Sequence, residues 1–333
     1  MVLSHYELGV IESITEFPRG SRQNPKVGLV SERGKFLLKR RSVSRAHPDR
    51  IRFAHRVQDC LAKANFPVPK LIPTRDGGLE LLQIRDRVYE LFEFVPGHAY
   101  EGTPAQTRDA GVVLAQFHKA TDSFVDDPTL PAPHGDYHDT PGVRTGLCAI
   151  GSTLSSHDSF TGDEAELAGL TQFLLEAYDR AAGAANHIGL TSLPERIIHS
   201  DWHPGNLLFR YDRVIAVIDY DTVRLSRRGV DAANGALQFS IVAGGDPVKW
   251  PDHLDEQRFA AFLSGYESIA PLSEVERRCV PDLMIEALIA ECVAPIAQTG
   301  SLGRWAGYRI LQMVRRKVVW VQAHAERLAK NPS

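Results

Sequence analysis

Cysteine is scarce in this sequence: there are 4 among 333 residues, and no two of them form a Cys-x-x-Cys pair. Such scattered cysteines exclude a zinc knuckle and a disulfide framework, so we expect reduced thiols. No window approaches ~18 uncharged apolar residues, the length that a membrane-spanning helix needs. The N-terminal residues have no basic leader before an apolar stretch, which argues against export. By elimination, the sequence predicts a cytoplasmic protein without a membrane partner.

An excess of charge of one sign is also lacking, because 38 Lys and Arg face 41 Asp and Glu. Overall charge therefore gives no attraction to nucleic acids or membrane surfaces. Residues 33–56 are locally basic, with nine Lys or Arg and Asp49 as their single acid. Aromatic residues suited to base stacking are not interleaved with them. A solvated basic face is therefore favoured over a nucleic-acid site.

Internal repeats and low-complexity tracts are absent, and 43% of the residues are hydrophobic while 24% are charged. This composition excludes a disordered chain, a collagen-like fibre and a coiled-coil rod. A length of 333 residues suggests about two domains. We therefore look for two globular parts, each with its own apolar core.

Residues before Pro96-Gly97 have the pattern of an antiparallel sheet with one helix. Segments rich in β-branched and aromatic residues, bounded by turn residues, cover 9–17, 26–30, 35–40, 78–84 and 87–95. Apolar residues spaced by three and four predict a helix over 49–64, which Pro67-Val68-Pro69 ends. This pattern predicts a small N-lobe at residues 1–96.

Residues after Pro96-Gly97 are mostly helical in pattern. Helical periodicity covers 103–124, 163–188 and most of 231–330, and a segment with β character lies at 196–226. Residues 126–146, rich in Pro, Gly, Asp and His, are expected to form a long connection. We therefore predict an α+β fold of two lobes, in which a larger helical C-lobe occupies residues 97–333.

The segment with β character holds the polar residues that point to chemistry. His199, Asp201 and Asn206 follow one apolar strand, and Asp219 and Asp221 follow another, beginning 18 residues after Asp201. Neighbouring strand ends would bring these carboxylates and the amide together. Phosphoryl transfer needs such a set, because the protein mainly positions a hydroxyl and neutralises charge. Oxygen ligands of this kind suit Mg²⁺.

The pattern His199-x-Asp201-x-x-x-x-Asn206, followed by Ile218-Asp219-Tyr220-Asp221, resembles the catalytic loop and metal motif of the aminoglycoside phosphotransferase and choline kinase family. Within it, the sequence looks most like the bacterial branch that contains type II homoserine kinase and spore-coat kinase-like proteins. The resemblance covers nearly the whole chain, including Lys39 in the predicted sheet. It implies a two-lobed protein-kinase-like fold.

The resemblance also implies a reaction: the γ-phosphoryl group of ATP, or GTP, passes with Mg²⁺ to a hydroxyl of a small metabolite or antibiotic. The implied partners are a nucleotide and this small hydroxylated substrate. Carried over position by position, Asp201 is the catalytic base and His199 braces its loop. The implied metal ligands are Asn206 and Asp219. The implied nucleotide contacts are Lys39, Gly20, Ser21, Glu93, Phe94 and Val95, and the secondary site residues are Asp221, His203 and Trp202.

Two departures from the family pattern leave alternatives open. The helical position expected to hold a glutamate partner for Lys39 is Ala54 or His55, and residues 17–28 contain no GxGxxG motif. A catalytically silent nucleotide-binding protein would explain the missing glutamate, although it would have no need of Asp201 together with its presumed metal ligands. A protein Ser/Thr kinase is a third candidate. Trp202 and His203 could either shape the acceptor pocket or pack.

Other interpretations of the motif are weaker. Alternation of His199, Asp201 and His203 would suit the metal site of a hydrolase, but Pro204-Gly205 would break the strand that such a site needs. A copy of the loop at His134-Gly135-Asp136 lacks the following amide, and we interpret it as coincidence.

Acids outnumber bases ten to four between 246 and 300, while 301–333 has seven bases and one acid. An acidic wall would favour a cationic acceptor, and the basic tail would oppose a densely positive one.

Overall fold

The computed structural model describes residues 2–17, 25–42, 48–124, 137–156, 160 and 162–330. The described chain divides into two compact units. The N-terminal unit contains the described residues up to Tyr100 together with Gly205–Val223. The helical unit contains the described residues of 101–204 up to Pro204, and those from Arg224 onward. The lobe boundary at residue 96 stays a prediction.

The strands of the described residues are short, and most lie in the N-terminal unit. They are β1 (Ile11–Phe17), β2 (Lys26–Ser31), β3 (Gly34–Ser42), β4 (Leu71–Ile72), β5 (Leu82–Ile84), β6 (Arg87–Glu93), β7 (Arg196–Ile198), β8 (Leu207–Arg210), β9 (Arg213–Val217), β10 (Arg224–Ser226), β11 (Ser301–Leu302) and β12 (Trp305–Ala306).

The α-helices are longer, and all but the first lie in the helical unit. They are α1 (Pro48–Lys63), α2 (Pro104–Ala120), α3 (Pro141–Ser155), α4 (Glu164–Ile188), α5 (Arg228–Ser240), α6 (Glu256–Glu267), α7 (Glu274–Thr299), α8 (Gly307–Ala323) and α9 (Ala325–Leu328). None of the helices in the described part of the chain has the length and apolar character needed to cross a bilayer.

The N-terminal unit contains an antiparallel sheet with strand order β1-β2-β3-β6-β4 and β5 beside β6. Because side chains alternate between the faces of a strand, residue pairs in register divide the sheet into two surfaces. Leu38 and Leu91 are paired in register, and both are buried in the apolar core of the sheet. The next pair along, Lys39 and Glu90, therefore lies on the opposite face. That face carries the charged residues described below.

Helix α1 agrees closely with the helix predicted over 49–64. It buries Phe53, Val57 and Leu61, which follow one another at a spacing of four. Asn65 has a φ of 55°, a left-handed conformation that ends the helix before Pro67. The strand predicted over 78–84 is shorter, because Gly77 and Gly78 have φ angles of 82° and 63° and form a turn.

The long connection predicted over 126–146 is wrong at its C-terminal end, where α3 begins at Pro141. Its buried residues Val143, Leu147, Ile150 and Leu154 have helical spacing, and proline is well suited to a first helical position. The Gly, Thr and Ser residues between them hid this pattern. Residues 125–136, which include the His134-Gly135-Asp136 copy, lie outside the described residues.

Two glycines allow α2 and α6 to cross closely in the helical unit. A Cβ atom on Gly111 would collide with the carbonyl oxygen of Phe262, and one on Gly265 would collide with that of Arg108. The absence of both side chains lets the two backbones approach each other. Across this crossing, His118 of α2 contacts the hydroxyl group of Tyr266 of α6.

Candidate active site

The structure divides the predicted site residues between the two units. Lys39, Asn206, Asp219 and Asp221 belong to the N-terminal unit, as do Glu93, Phe94 and Val95, whereas His199, Asp201, Trp202 and His203 belong to the helical unit. Gly20 and Ser21 lie outside the described residues.

A buried lysine joins the two carboxylates of the metal motif. Lys39 Nζ donates hydrogen bonds to Asp219 Oδ1 at 2.9 Å and to both carboxylate oxygens of Asp221 at 2.9 Å. Lys39 is only 6% exposed. Burial alone would lower the pKa of Lys39, but the charges of Asp221 and Asp219 raise it above its ordinary value. The ammonium group is therefore kept charged inside the protein.

Asp219 is held in an unusual backbone conformation as well as in an ion pair. Its φ of 67° lies in the left-handed region, which is uncommon outside glycine. Burial raises the pKa of this carboxyl, but Lys39 outweighs burial and holds the pKa well below its usual range. The backbone N–H of Ile218 donates to the carbonyl of Asn206 at 2.9 Å, which keeps the Asn206 segment beside the strand end. An ionised carboxylate and a buried amide are thus on neighbouring segments.

These two side chains fit a divalent cation bound together with phosphates. Among the described residues, no group of three or more His, Cys, Asp or Glu side chains could hold a metal ion by itself. Mg²⁺ is commonly bound by only one or two protein oxygens, and phosphate oxygens and waters complete its coordination. The carboxylate of Asp219 and the amide oxygen of Asn206, a residue that is 6% exposed, are donors of the kind that such a site would use.

Three of the predicted nucleotide contacts, Glu93, Phe94 and Val95, lie at the end of β6 and directly after it. The backbone N–H of Glu93 donates to the backbone carbonyl of Lys70 at 2.8 Å, and that of Phe94 donates to the backbone carbonyl of Lys35 at 2.9 Å. Two of the three amides in this segment thus already donate to backbone carbonyls of neighbouring segments. Contact between Glu93–Val95 and a nucleotide base stays a prediction.

The catalytic-loop motif of the helical unit is held by its backbone. Asp231, on α5, accepts hydrogen bonds from the N–H of His199 at 2.7 Å and from that of Ser200 at 2.8 Å. Ser200 has a φ of 64°, so the residue just before Asp201 is also in the left-handed region. Strained residues held by their surroundings are typical of functional sites.

Two more helices support Asp231. His118 on α2 contacts Asp231 through Nε2 at 3.2 Å and the hydroxyl of Tyr266 on α6 through Nδ1 at 2.8 Å. Sequence reasoning missed both Asp231 and His118. In the sequence, Asp231 looks like an ordinary acidic residue in the first turn of a helix, and nothing links it to a loop 31 residues earlier.

The structure separates the two aromatic residues inside the loop. Trp202 is fully buried, and its ring lies 5.4 Å from that of His199 and 6.4 Å from that of Phe117. It packs, and thereby fixes the buried His199. The His203 side chain is 36% exposed, and its Nε2 lies 3.6 Å from Asp201 Oδ1. Of the two aromatic residues, only His203 has its side chain next to the partly exposed Asp201.

A further acidic residue, Glu291 on α7, belongs to the same surroundings. Burial raises the pKa of its carboxyl to about 7, with a contribution from the negative charge of Asp201. Gln238 on α5 donates a short hydrogen bond to Glu291. The negative charge of Asp201 is thus felt by a second carboxyl group on a helix that lies far away in the sequence. Sequence reasoning reached only a general acidic character of residues 246–300.

Comparison with known proteins decides the family. Residues 13–272 match the family described as the phosphotransferase enzyme family, APH. The chain belongs to this family. This phosphotransferase is 25% identical over 304 residues to the homoserine kinase of Caulobacter vibrioides strain NA1000, covering 90% of the present chain and 86% of the relative. It is 27% identical over 311 residues to the homoserine kinase of Caulobacter sp. strain K31, covering 90% and 85%.

Solved structures of low sequence identity share the fold of this phosphotransferase. A microcompartment-associated aminopropanol kinase matches with a TM-score of 0.69 and 17% identity, covering 100% of the present chain and 98% of its own. Amicoumacin kinase, solved with AMP-PNP and Ca²⁺, matches with a TM-score of 0.68 and 14% identity, covering 98% and 91%.

The predicted family and the predicted kinase-like fold are therefore confirmed, with an antiparallel sheet in the N-terminal part and helices in the C-terminal part. The protein is a small-molecule kinase, an ATP-dependent phosphotransferase that acts on a hydroxyl group. Nothing in the comparisons favours a silent nucleotide-binding protein or a protein Ser/Thr kinase.

We expect Asp231→Asn to destabilise the protein and to slow turnover. An amide in place of the carboxylate would direct an N–H group at a backbone donor, so at least one buried hydrogen bond is lost, at a cost of about 1–3 kcal/mol. Urea unfolding and steady-state turnover measure the two effects. Asp122→Asn is the control, because Asp122 is 58% exposed and pairs with Arg196 at 3.0 Å on the surface. If Asp231→Asn and Asp122→Asn had the same stability in urea and the same turnover, a bracing role for Asp231 would be contradicted.

Proposed function

We propose that this phosphotransferase uses Mg²⁺ and ATP to phosphorylate the hydroxyl group of a small amino acid or amino alcohol. The observation that carries the proposal is the buried Lys39, which is paired with an ionised Asp219 in a left-handed turn. A nucleoside triphosphate needs this combination of a cation for its phosphates and a carboxylate for its metal ion. The names of the relatives, which include homoserine kinases and an aminopropanol kinase, support an acceptor that carries an amine.

On the nucleotide side, Lys39 would exchange one of its carboxylate partners for phosphate oxygens. Asn206 and Asp219 would then hold Mg²⁺, which supplies positive charge to the transferring phosphoryl group. Lys39 would neutralise the remaining phosphate charge from inside the unit, where burial strengthens its electrostatic effect.

On the acceptor side, Asp201 would orient the hydroxyl group and accept its proton. Its side chain is 34% exposed, so it is accessible to a substrate, while Asp231 holds the loop backbone behind it. His199 would brace the loop through its buried packing on Trp202. Glu291 would form an ion pair with the ammonium group of the acceptor. Such a cation beside the carboxyl group would favour its ionised form.

The test compares alcohols that differ only in the amine. Homoserine and 3-aminopropanol are assayed beside 4-hydroxybutyrate and 1-propanol by nucleotide turnover, and products are identified by phosphorus NMR. A charge-assisted hydrogen bond contributes about 1.5–3 kcal/mol, so we expect kcat/KM to favour the amine-bearing alcohol by about 10–100-fold. The same assays with GTP determine the nucleotide preference.

A variant links this preference to its residue. Glu291→Gln should reduce the discrimination between the matched alcohols and leave KM for ATP unchanged. Equal use of alcohols with and without the amine by the wild-type protein would refute an amine-bearing acceptor. Failure to phosphorylate any hydroxylated compound in the presence of Mg²⁺ and ATP would refute the proposed function as a whole.

A further inference from the structure

Lys39 is paired in a way that the family pattern does not provide. The helical position expected to supply its glutamate holds Ala54 or His55, and the structure shows two aspartates on the lysine instead. One of them, Asp219, is a proposed metal ligand. We propose that the other, Asp221, is the carboxylate that positions Lys39 for the nucleotide phosphates, and that Arg41, Glu90 and His55 hold Asp221 in place. The inference rests on the proposed contact between Lys39 and the nucleotide.

Asp221 is bound by two cations at once. Both of its carboxylate oxygens lie 2.9 Å from Lys39 Nζ, and Oδ1 also lies 2.6 Å from Arg41 Nη2. The side chains of Lys39 and Arg41 are 8% and 9% exposed, whereas that of Asp221 is 28% exposed, so the two cations are buried and depend on this carboxylate. A carboxylate engaged in this way would have to leave buried cations uncompensated in order to bind a metal ion, which is costly. It is better suited to hold the lysine.

Arg41 is in turn fixed by a second carboxylate. Its Nε lies 2.6 Å from Glu90 Oε2, and Glu90 is 1% exposed. Burial by itself would raise the pKa of the Glu90 carboxyl, but the hydrogen bond from His55 and the charges of Arg41 and Lys39 lower it to about 2. Arg41 thus bridges the carboxylates of Glu90 and Asp221 and fixes the distance between them.

His55 completes a continuous path from helix α1 to Lys39. Its Nε2 lies 2.7 Å from Glu90 Oε1, and it is 2% exposed. The order of contacts is His55, Glu90, Arg41, Asp221 and Lys39, and we call these five residues the lysine relay. In this relay the glutamate lies on strand β6, in register with Lys39, and the histidine lies on the helix. The relay connects helix and lysine without a helical glutamate.

Release of Asp219 explains why a second carboxylate is needed. If Asp219 held a metal ion in place of the lysine, Lys39 would keep a fixed carboxylate partner only where Asp221 stays in place. A lysine that lost its orientation would contact the phosphates in several positions, and a displacement of about 1 Å can lower a rate about 100-fold. Asp221 is therefore a positioning residue, which acts through Lys39.

The test is a double-mutant cycle on Lys39 and Asp221. Asp221→Asn should lower kcat/KM for ATP by about 10–100-fold and leave KM for the acceptor unchanged. In the background of Lys39→Met, the same substitution should have little further effect, because its action passes through the lysine. The affinity for ADP with Mg²⁺, measured by calorimetry at several Mg²⁺ concentrations, should show an unchanged dependence on Mg²⁺ in Asp221→Asn.

A further variant, Arg41→Lys, keeps the test informative if Asp221→Asn folds poorly. It keeps the charge but cannot bridge both carboxylates, so it should lower kcat/KM for ATP, and it should add little in the Lys39→Met background. Asp59→Asn is the control, because Asp59 is 53% exposed and pairs with Lys63 on the surface of the same helix, α1. Thermal unfolding of each variant separates loss of positioning from loss of fold.

The outcomes distinguish this inference from the proposed function. Independent, multiplying effects of Lys39→Met and Asp221→Asn would overturn the relay, as would a higher Mg²⁺ requirement in Asp221→Asn, which would make Asp221 a metal ligand. If Lys39→Met itself leaves kcat/KM for ATP unchanged, the proposed nucleotide contact fails instead.

Discussion

Replacement of Asp201 by alanine is expected to lower turnover by about 10²–10⁴-fold, the range that a positioned general base contributes. The fold should survive, because the loop is held by Asp231 through the backbone N–H groups of His199 and Ser200. None of these bonds uses the Asp201 side chain, which is 34% exposed. Steady-state kinetics and thermal unfolding, measured on the same preparation, test both halves of this expectation.

The matched control for Asp201→Ala is Asp212→Ala. Asp212 is exposed and lies between the strands β8 and β9, so its removal should change neither the midpoint of unfolding nor turnover. KM for ATP should be close to wild type in Asp201→Ala, because Asp201 is assigned to the acceptor. Turnover at the wild-type rate would remove Asp201 from the mechanism.

The second large effect is expected from the loss of charge at Asp219. Asp219→Asn should lower turnover by about 10²–10³-fold, because a pre-organised charge near the reacting group contributes an effect of this size. The variant should also need much more Mg²⁺ for half of its maximal activity. Titration of the rate with Mg²⁺ measures this requirement, and an unaltered curve would exclude Asp219 as a metal ligand.

The choice of asparagine at this position has a structural reason. Asp219 has a φ of 67°, a conformation that asparagine adopts readily and alanine does not. Asp219→Ala should therefore lose about 1–2 kcal/mol of stability in addition to the carboxylate, whereas Asp219→Asn loses only the charge and its ion pair. Comparison of the two variants in urea separates backbone strain from metal binding.

The spacing of a few residues was enough to predict the reaction class. The spacing of these residues predicts two strand ends that carry carboxylates and an amide, the set that phosphoryl transfer needs: His199, Asp201, Asn206 and Asp219. The family match confirms the kinase class. Helix α1 was predictable for a similar reason, since its apolar residues recur every three or four positions over 16 residues. Local patterns of this kind depend on neighbours in the sequence.

Glu90 shows where such patterns fail. In the alternating segment 87–93 it occupies a polar position and reads as a residue on a solvated face, yet it is 1% exposed. Its partners Arg41 and His55 lie 49 and 35 residues away, and nothing local specifies them. The partners of Lys39 itself, Asp219 and Asp221, lie 180 and 182 residues away, so a search of the helix could not find them either.

The sequence by itself predicted a strand-rich N-terminal part and a helical C-terminal part, because hydrophobic periodicity is a local property of the chain. The kinase family followed from the resemblance of the His199-x-Asp201-x-x-x-x-Asn206 motif, and the match over residues 13–272 confirms it. Only the tertiary structure decided that Asp231 braces the loop, that Trp202 packs while His203 stands beside Asp201, and that two aspartates hold Lys39. Buried charges must find compensation wherever folding brings a partner within reach. That partner is chosen by proximity in space, which the order of residues does not record.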